Sequence, residues 1–136
     1  MESSIQKRVL VVEDDALMRE LMSLSLRDAG YCVIEAAGQD AARLDQAPEV
    51  DVAVVDLISP KAAPNGVVSG LRARFPRAAF VAVSGYFPAQ TSASGPLARQ
   101  LGVERTLPKP FKCEELVTLV AELADGAAQG RPAKSR

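Results

Sequence analysis

The chain has 136 residues, 48% of them hydrophobic, with 16 basic against 17 acidic side chains and a formal net charge of -1. That is the size and apolar content of one domain with a real core, and no basic excess exists to supply nonspecific affinity for nucleic acid. Histidine is absent and Cys32 and Cys113 are the only cysteines, which excludes a histidine general base and a His/Cys zinc site and gives no disulfide framework.

The first apolar run, Arg8-Val9-Leu10-Val11-Val12, reads as a buried strand with Glu13 and Asp14 at its exit. Asp15 caps a helix running to about Ala29, in which Leu17, Leu21, Leu24 and Asp28 recur at helical spacing. Gly30 ends it. Tyr31 to Glu35 is a second strand, less uniformly apolar and therefore expected at an edge of the sheet. A short helix is predicted over Gln39 to Gln46, stopped by Pro48.

Val50 to Val55 is the clearest central strand and delivers Asp56. Leu57 to Asn65 carries Pro60 and Pro64 and is predicted as a long non-helical connection. Helix is expected from Gly66 to Phe75, then a fourth strand, Ala79 to Val83, presenting Ser84. Tyr86 to Gly95 holds Pro88, Gly95 and three hydroxyl residues, so the helix due here is expected to be shortened, displaced or disordered, with Pro96 able to start a turn. A short fifth strand, Glu104 to Leu107, leads to Lys109, and Glu114 to Asp125 forms the last helix. Residues 1–6 read as a flexible N-terminus, 7–125 as the folded domain and 126–136 as a flexible tail or linker.

Strands alternating with helices imply a doubly wound α/β fold with a parallel sheet. Residues at the carboxyl ends of its strands meet in one crevice. Glu13, Asp14, Asp56, Ser84 and Lys109 all fall at such ends. A carboxylate can attack phosphorus, which makes Asp56 the candidate phosphoryl acceptor. Glu13 and Asp14 would repel it unless a cation intervened, and magnesium suits an all-oxygen donor set. Asp14, Asp56 and the backbone carbonyl of Ile58 are the expected direct ligands, with Glu13 acting through water. Lys109, held between Pro108 and Pro110, can reach a phosphoryl oxygen or the Asp56 carboxylate. Ser84 offers a hydroxyl donor to the same group.

The segments Val-Val-Glu-Asp-Asp at 11–15, Val-Val-Asp-Leu at 54–57, Val-Ser-Gly at 83–85 and Leu-Pro-Lys-Pro-Phe at 107–111 together resemble the receiver domain of two-component response regulators. The resemblance implies a flavodoxin-like five-stranded sheet of order 2-1-3-4-5 with magnesium at its carboxyl edge. It implies Asp56 as phosphoacceptor, Glu13 and Asp14 as the acidic pair, Ser84 as switch hydroxyl and Lys109 as the family's lysine. The expected donor is a histidine kinase, a histidine phosphotransfer protein or a small acyl phosphate, and a downstream protein would read the altered surface. Such a domain catalyses its own phosphorylation and dephosphorylation without acting on a separate substrate. No nucleic-acid or membrane contact is expected, and the expected compartment is the cytoplasm.

Three departures from the family pattern stand out. The connection from Asp56 to Asn65-Gly66 is about two residues longer than usual. Gly85 follows the switch hydroxyl where alanine is common, and Thr106 occupies the usual aromatic position. The longer connection, Thr106 and the irregular 86–95 segment support a competing reading, a receiver-like interaction domain that is not phosphorylated.

Overall fold

A computed structural model of the chain describes residues 6–38, 48–57 and 64–128. Five strands, β1 (Arg8–Val12), β2 (Cys32–Ala36), β3 (Val52–Asp56), β4 (Ala79–Ser84) and β5 (Arg105–Pro108), alternate with helices α1 (Ala16–Asp28), α2 (Pro64–Arg74), α3 (Pro96–Leu101) and α4 (Cys113–Ala128). All strand pairs are parallel and the order is β2-β1-β3-β4-β5, the doubly wound arrangement expected from the sequence. The predicted helix over Gln39 to Gln46 and most of the connection after Leu57, including Ile58, lie outside the described residues.

Side-chain alternation along the strands builds two cores. Leu10, Val12, Ala53, Val55, Phe80 and Ala82 face one way and pack with Val68, Leu71 and Phe75 after β3 and with Ala98 and Leu101 of α3. Val9, Val11, Val52, Val54, Val81 and Val83 face the other way, against Met22 and Leu26 of α1 and Leu116, Val120 and Leu123 of α4. A sheet covered on both faces needs strands apolar on both sides, which is why 9–12, 52–55 and 79–83 are unbroken apolar runs.

The helix ends follow local chemistry. Asp15 accepts a hydrogen bond from the Met18 N–H at 3.1 Å, and Gly30, at φ +101°, takes the turn that releases the chain into β2. α2 begins at Pro64, two residues before the predicted start. Proline has no N–H to leave unpaired in a first turn and its ring presets the helical φ. At the start of α4, the Lys112 N–H donates to Glu115 Oε1 at 2.8 Å while the Glu115 N–H donates to the Lys112 carbonyl at 2.9 Å. That helix runs to Ala128, three residues past the predicted end at Asp125.

The helical repeat of α1 does not by itself mark its buried side. The stripe Leu17, Leu21 and Leu24 does not face the core; these side chains are 68%, 46% and 53% exposed. Met22 and Leu26, with Met18 partly buried, take the sheet-facing side instead. Two apolar stripes are interleaved in this helix, and periodicity alone does not say which one meets the sheet.

Between β4 and β5 helix is confined to Pro96–Leu101. The preceding segment makes turns instead: Thr91 N–H to the Pro88 carbonyl, and Gly95 N–H to the Ser92 carbonyl. It is fastened to the outer edge of β5, where the Thr106 N–H donates to the Ala93 carbonyl at 2.8 Å and the Thr106 hydroxyl to the Ser92 carbonyl at 3.2 Å. Phe87, buried in the α2/α3-side core, anchors this segment there. A groove of about 420 Å³ lies between this segment and α4, lined by Ala89, Thr91, Ala93, Thr106 and Leu119 among others.

Candidate functional site

The parallel register sets the ends of β1, β3, β4 and β5 side by side, and three of the predicted residues interlock there. Lys109, just past β5, places Nζ 2.9 Å from Glu13 Oε1 and 3.2 Å from Asp56 Oδ1. One ammonium thus bridges two carboxylates that the chain separates by 43 residues. Glu13 is almost fully buried, and the Asp56 side chain keeps 11% exposure, an opening to solvent at the crevice. Lys109 is tied to β4 through its own N–H, which donates to the Ser84 carbonyl at 3.0 Å, and the Lys109–Pro110 peptide bond is cis.

This packing leaves Asp56 short of positive charge. Burial, and then repulsion from Glu13, outweigh the attraction of Lys109 and push the Asp56 carboxyl up to about 6. Burial pulls the Lys109 ammonium down, but its hydrogen bond to Glu13 and the Asp56 charge together leave it above the ordinary lysine value. The lysine therefore stays charged and is shared between two anions, too little to satisfy both.

The other predicted residues border this cluster. Asp14 follows Glu13, and its Oδ1 accepts a hydrogen bond from the Gly38 N–H at 2.6 Å. Ser84 is fully buried at the end of β4, and its Oγ accepts from the Tyr86 N–H at 3.0 Å rather than bonding to Asp56. Ile58 lies outside the described residues. Among the described residues no three metal-ligating side chains are gathered into a ready-made cage. The oxygen-only donors and the raised Asp56 carboxyl nevertheless fit a hard divalent cation, because that is the charge the pocket lacks.

Three supporting residues escaped the sequence reading. Arg19 reaches back from α1 to donate to the Glu13 carbonyl at 2.6 Å and lies 3.7 Å from Glu35. No helical spacing announced it, because α1 begins only at Ala16, after Glu13. Tyr86 acts through its backbone, which no side-chain pattern announces. Gly38 touches Asp14 only because β2 ends beside β1.

The model of the response regulator receiver domain matches residues 9–121, and the chain belongs to that family. Sensor kinase CckA of Brucella abortus is 33% identical over 120 residues, 86% of this chain but only 12% of that relative. The CheY-like response regulator receiver domain protein of Methanospirillum hungatei has a similar structure, with a TM-score of 0.75 at 20% identity over 92% of this chain and 98% of that one. A response regulator of Burkholderia pseudomallei, solved with a phosphorylated aspartic acid, a calcium ion and citrate, gives a TM-score of 0.68 at 23% identity, covering 95% of this chain and 73% of that one. The chain is thus a receiver domain of the two-component signalling class.

Proposed function

We propose that the domain accepts a phosphoryl group on Asp56 from a phosphohistidine donor and converts that event into a change at the 86–95 segment. The observation that carries the reading is the Glu13–Lys109–Asp56 bridge with its raised Asp56 carboxyl. At neutral pH Asp56 is largely ionised and so carries the free carboxylate oxygen that a nucleophile needs; its acyl phosphate would carry more negative charge than the carboxylate, which Lys109 and a bound cation would offset. An Asp56 carboxylate oxygen attacks phosphorus, the P–O bond forms as the P–N bond to the donor imidazole breaks, and the imidazole leaves with the bond's electron pair. Lys109 then has a phosphoryl oxygen to pair with in addition to Glu13.

Magnesium, held by Asp14, Asp56 and the Ile58 carbonyl with Glu13 behind a water, would supply charge neutralisation for the phosphoryl oxygens. In this reading Ser84 turns its hydroxyl toward the phosphoryl group, and the Tyr86 N–H loses its acceptor. The turn at 85–87 is then released from its present bond, while Thr106, with no ring to bury, keeps its hold on Ser92 and Ala93.

The partner is a histidine kinase or histidine phosphotransfer protein in the cytoplasm. The exposed leucines of α1 begin at Leu17, three residues beyond Asp14, and offer an apolar strip beside the pocket for a partner helix. That the phosphorylated relative from Burkholderia pseudomallei shares the fold supports the chemistry. Incubation with magnesium and acetyl phosphate, read by intact mass, tests it. One labile phosphoryl group per chain, lost in Asp56→Asn, is the expected result; no adduct would favour the unphosphorylated interaction domain.

A further inference from the structure

The acidic pocket has a neighbour with no side chain. Gly38, two residues beyond the end of β2, donates its N–H to Asp14 Oδ1 at 2.6 Å, a short charge-assisted bond. The approach is close enough that any side chain at this position would push the carboxylate aside. A Cβ built on Gly38 would stand 2.9 Å from Asp14 Oδ1, 3.4 Å from Oδ2 and 3.5 Å from Cγ. What glycine supplies here is space rather than a special φ, and the atom it makes room for is a carboxylate oxygen.

We infer that Gly38 is a positioning residue for the metal ligand Asp14: its N–H fixes Oδ1 and its missing side chain leaves that carboxylate its place. The inference rests on the proposed magnesium-dependent reading of the site. Its energetics separate folding from binding. Asp14 is exposed, and the end of its short side chain can swing away from a new methyl group at small cost to the fold. The same swing moves a ligand out of position. Magnesium demands near-ideal octahedral geometry, whereas calcium accepts irregular shells and longer bonds. A displaced Asp14 therefore weakens magnesium more than calcium, which general loosening of the pocket does not do.

The test is calorimetric titration of the full chain with magnesium chloride and, separately, calcium chloride, comparing wild type, Gly38→Ala, Asp14→Ala and Gly70→Ala. Gly70 meets nothing within 4 Å of a built Cβ, so it controls for the Gly-to-Ala change itself. Gly38→Ala should bind magnesium roughly tenfold more weakly, in the range seen when partners of metal ligands are removed. Calcium should fall less, and the metal-free melting temperature should stay close to wild type. Gly70→Ala should bind like wild type. In the wild-type chain without metal, the Gly38 amide should be protected from hydrogen exchange, and Asp14→Ala should remove that protection whether or not Gly38→Ala folds. Magnesium binding in Gly38→Ala as tight as wild type or tighter, an equal loss for both cations, or an unprotected Gly38 amide would overturn the inference alone. Failure of the wild-type chain to bind magnesium would overturn the proposed function and this inference with it.

Discussion

Replacing Asp56 by asparagine isolates the charge that the pocket accommodates least well. The Asp56 carboxyl is raised from 3.8 to about 6. At about 1.4 kcal/mol per unit, ionising it in the folded state costs up to about 3 kcal/mol relative to the unfolded chain. The 11% exposure left to the side chain, and the Lys109 contact that the ionised form keeps, reduce what substitution recovers to about 1–2 kcal/mol. Asparagine retains the size and an acceptor for Lys109, and its amide can donate to Glu13 where a carboxylate cannot.

The pH dependence fixes the sign. A carboxyl whose folded value is raised adds stability below its unfolded value, and this is lost as pH rises through the folded one. The metal-free wild type should lose ground to Asp56→Asn between about pH 4 and pH 6, with the gap level above about pH 7. Thermal unfolding followed by circular dichroism at pH 4, 6 and 8 measures it; at pH 8 the variant should melt roughly 4–8 °C higher. Added magnesium should close the gap by stabilising the wild type more. A variant no more stable than wild type at pH 8, or a gap that does not change with pH, would refute the reasoning.

Other substitutions probe the frame around the site. The Ser23 hydroxyl is buried in α1 and finds no hydrogen-bond partner among the described residues, so Ser23→Ala should raise stability by about 1 kcal/mol in a urea titration. Met22→Ala should cost about 2–4 kcal/mol, whereas Leu21→Ser, one residue earlier on the exposed stripe, should cost less than about 0.5 kcal/mol while weakening association with a phosphohistidine partner in a pull-down. Thr106→Val keeps the volume but loses the bond to the Ser92 carbonyl. It should cost about 1 kcal/mol and speed amide exchange in the 91–95 segment.

The five strands, their parallel pairing and the carboxylates at their ends were legible in the sequence because each rests on local information. Unbroken apolar runs mark strands buried on both faces, Asp15 and Gly30 mark helix ends, and the strand–helix alternation sets the winding. The irregular stretch before Pro96 was equally visible, since proline, glycine and hydroxyl residues act on their own backbone. Which leucine stripe of α1 faces outward was not visible, because both stripes share one period and only the docking of α1 against the sheet and α4 chooses between them. Nor was the sharing of Lys109 between Glu13 and Asp56, or the raised Asp56 carboxyl that results. Those depend on burial and on distances between atoms from different strands. Gly38 belongs with them: its place beside Asp14 exists only because β2 lies next to β1, which brings its N–H within reach of that carboxylate. Sequence determined which residues reach the crevice, since that follows from where each strand ends; tertiary structure decided which of them touch, since charge and contact act across space rather than along the chain.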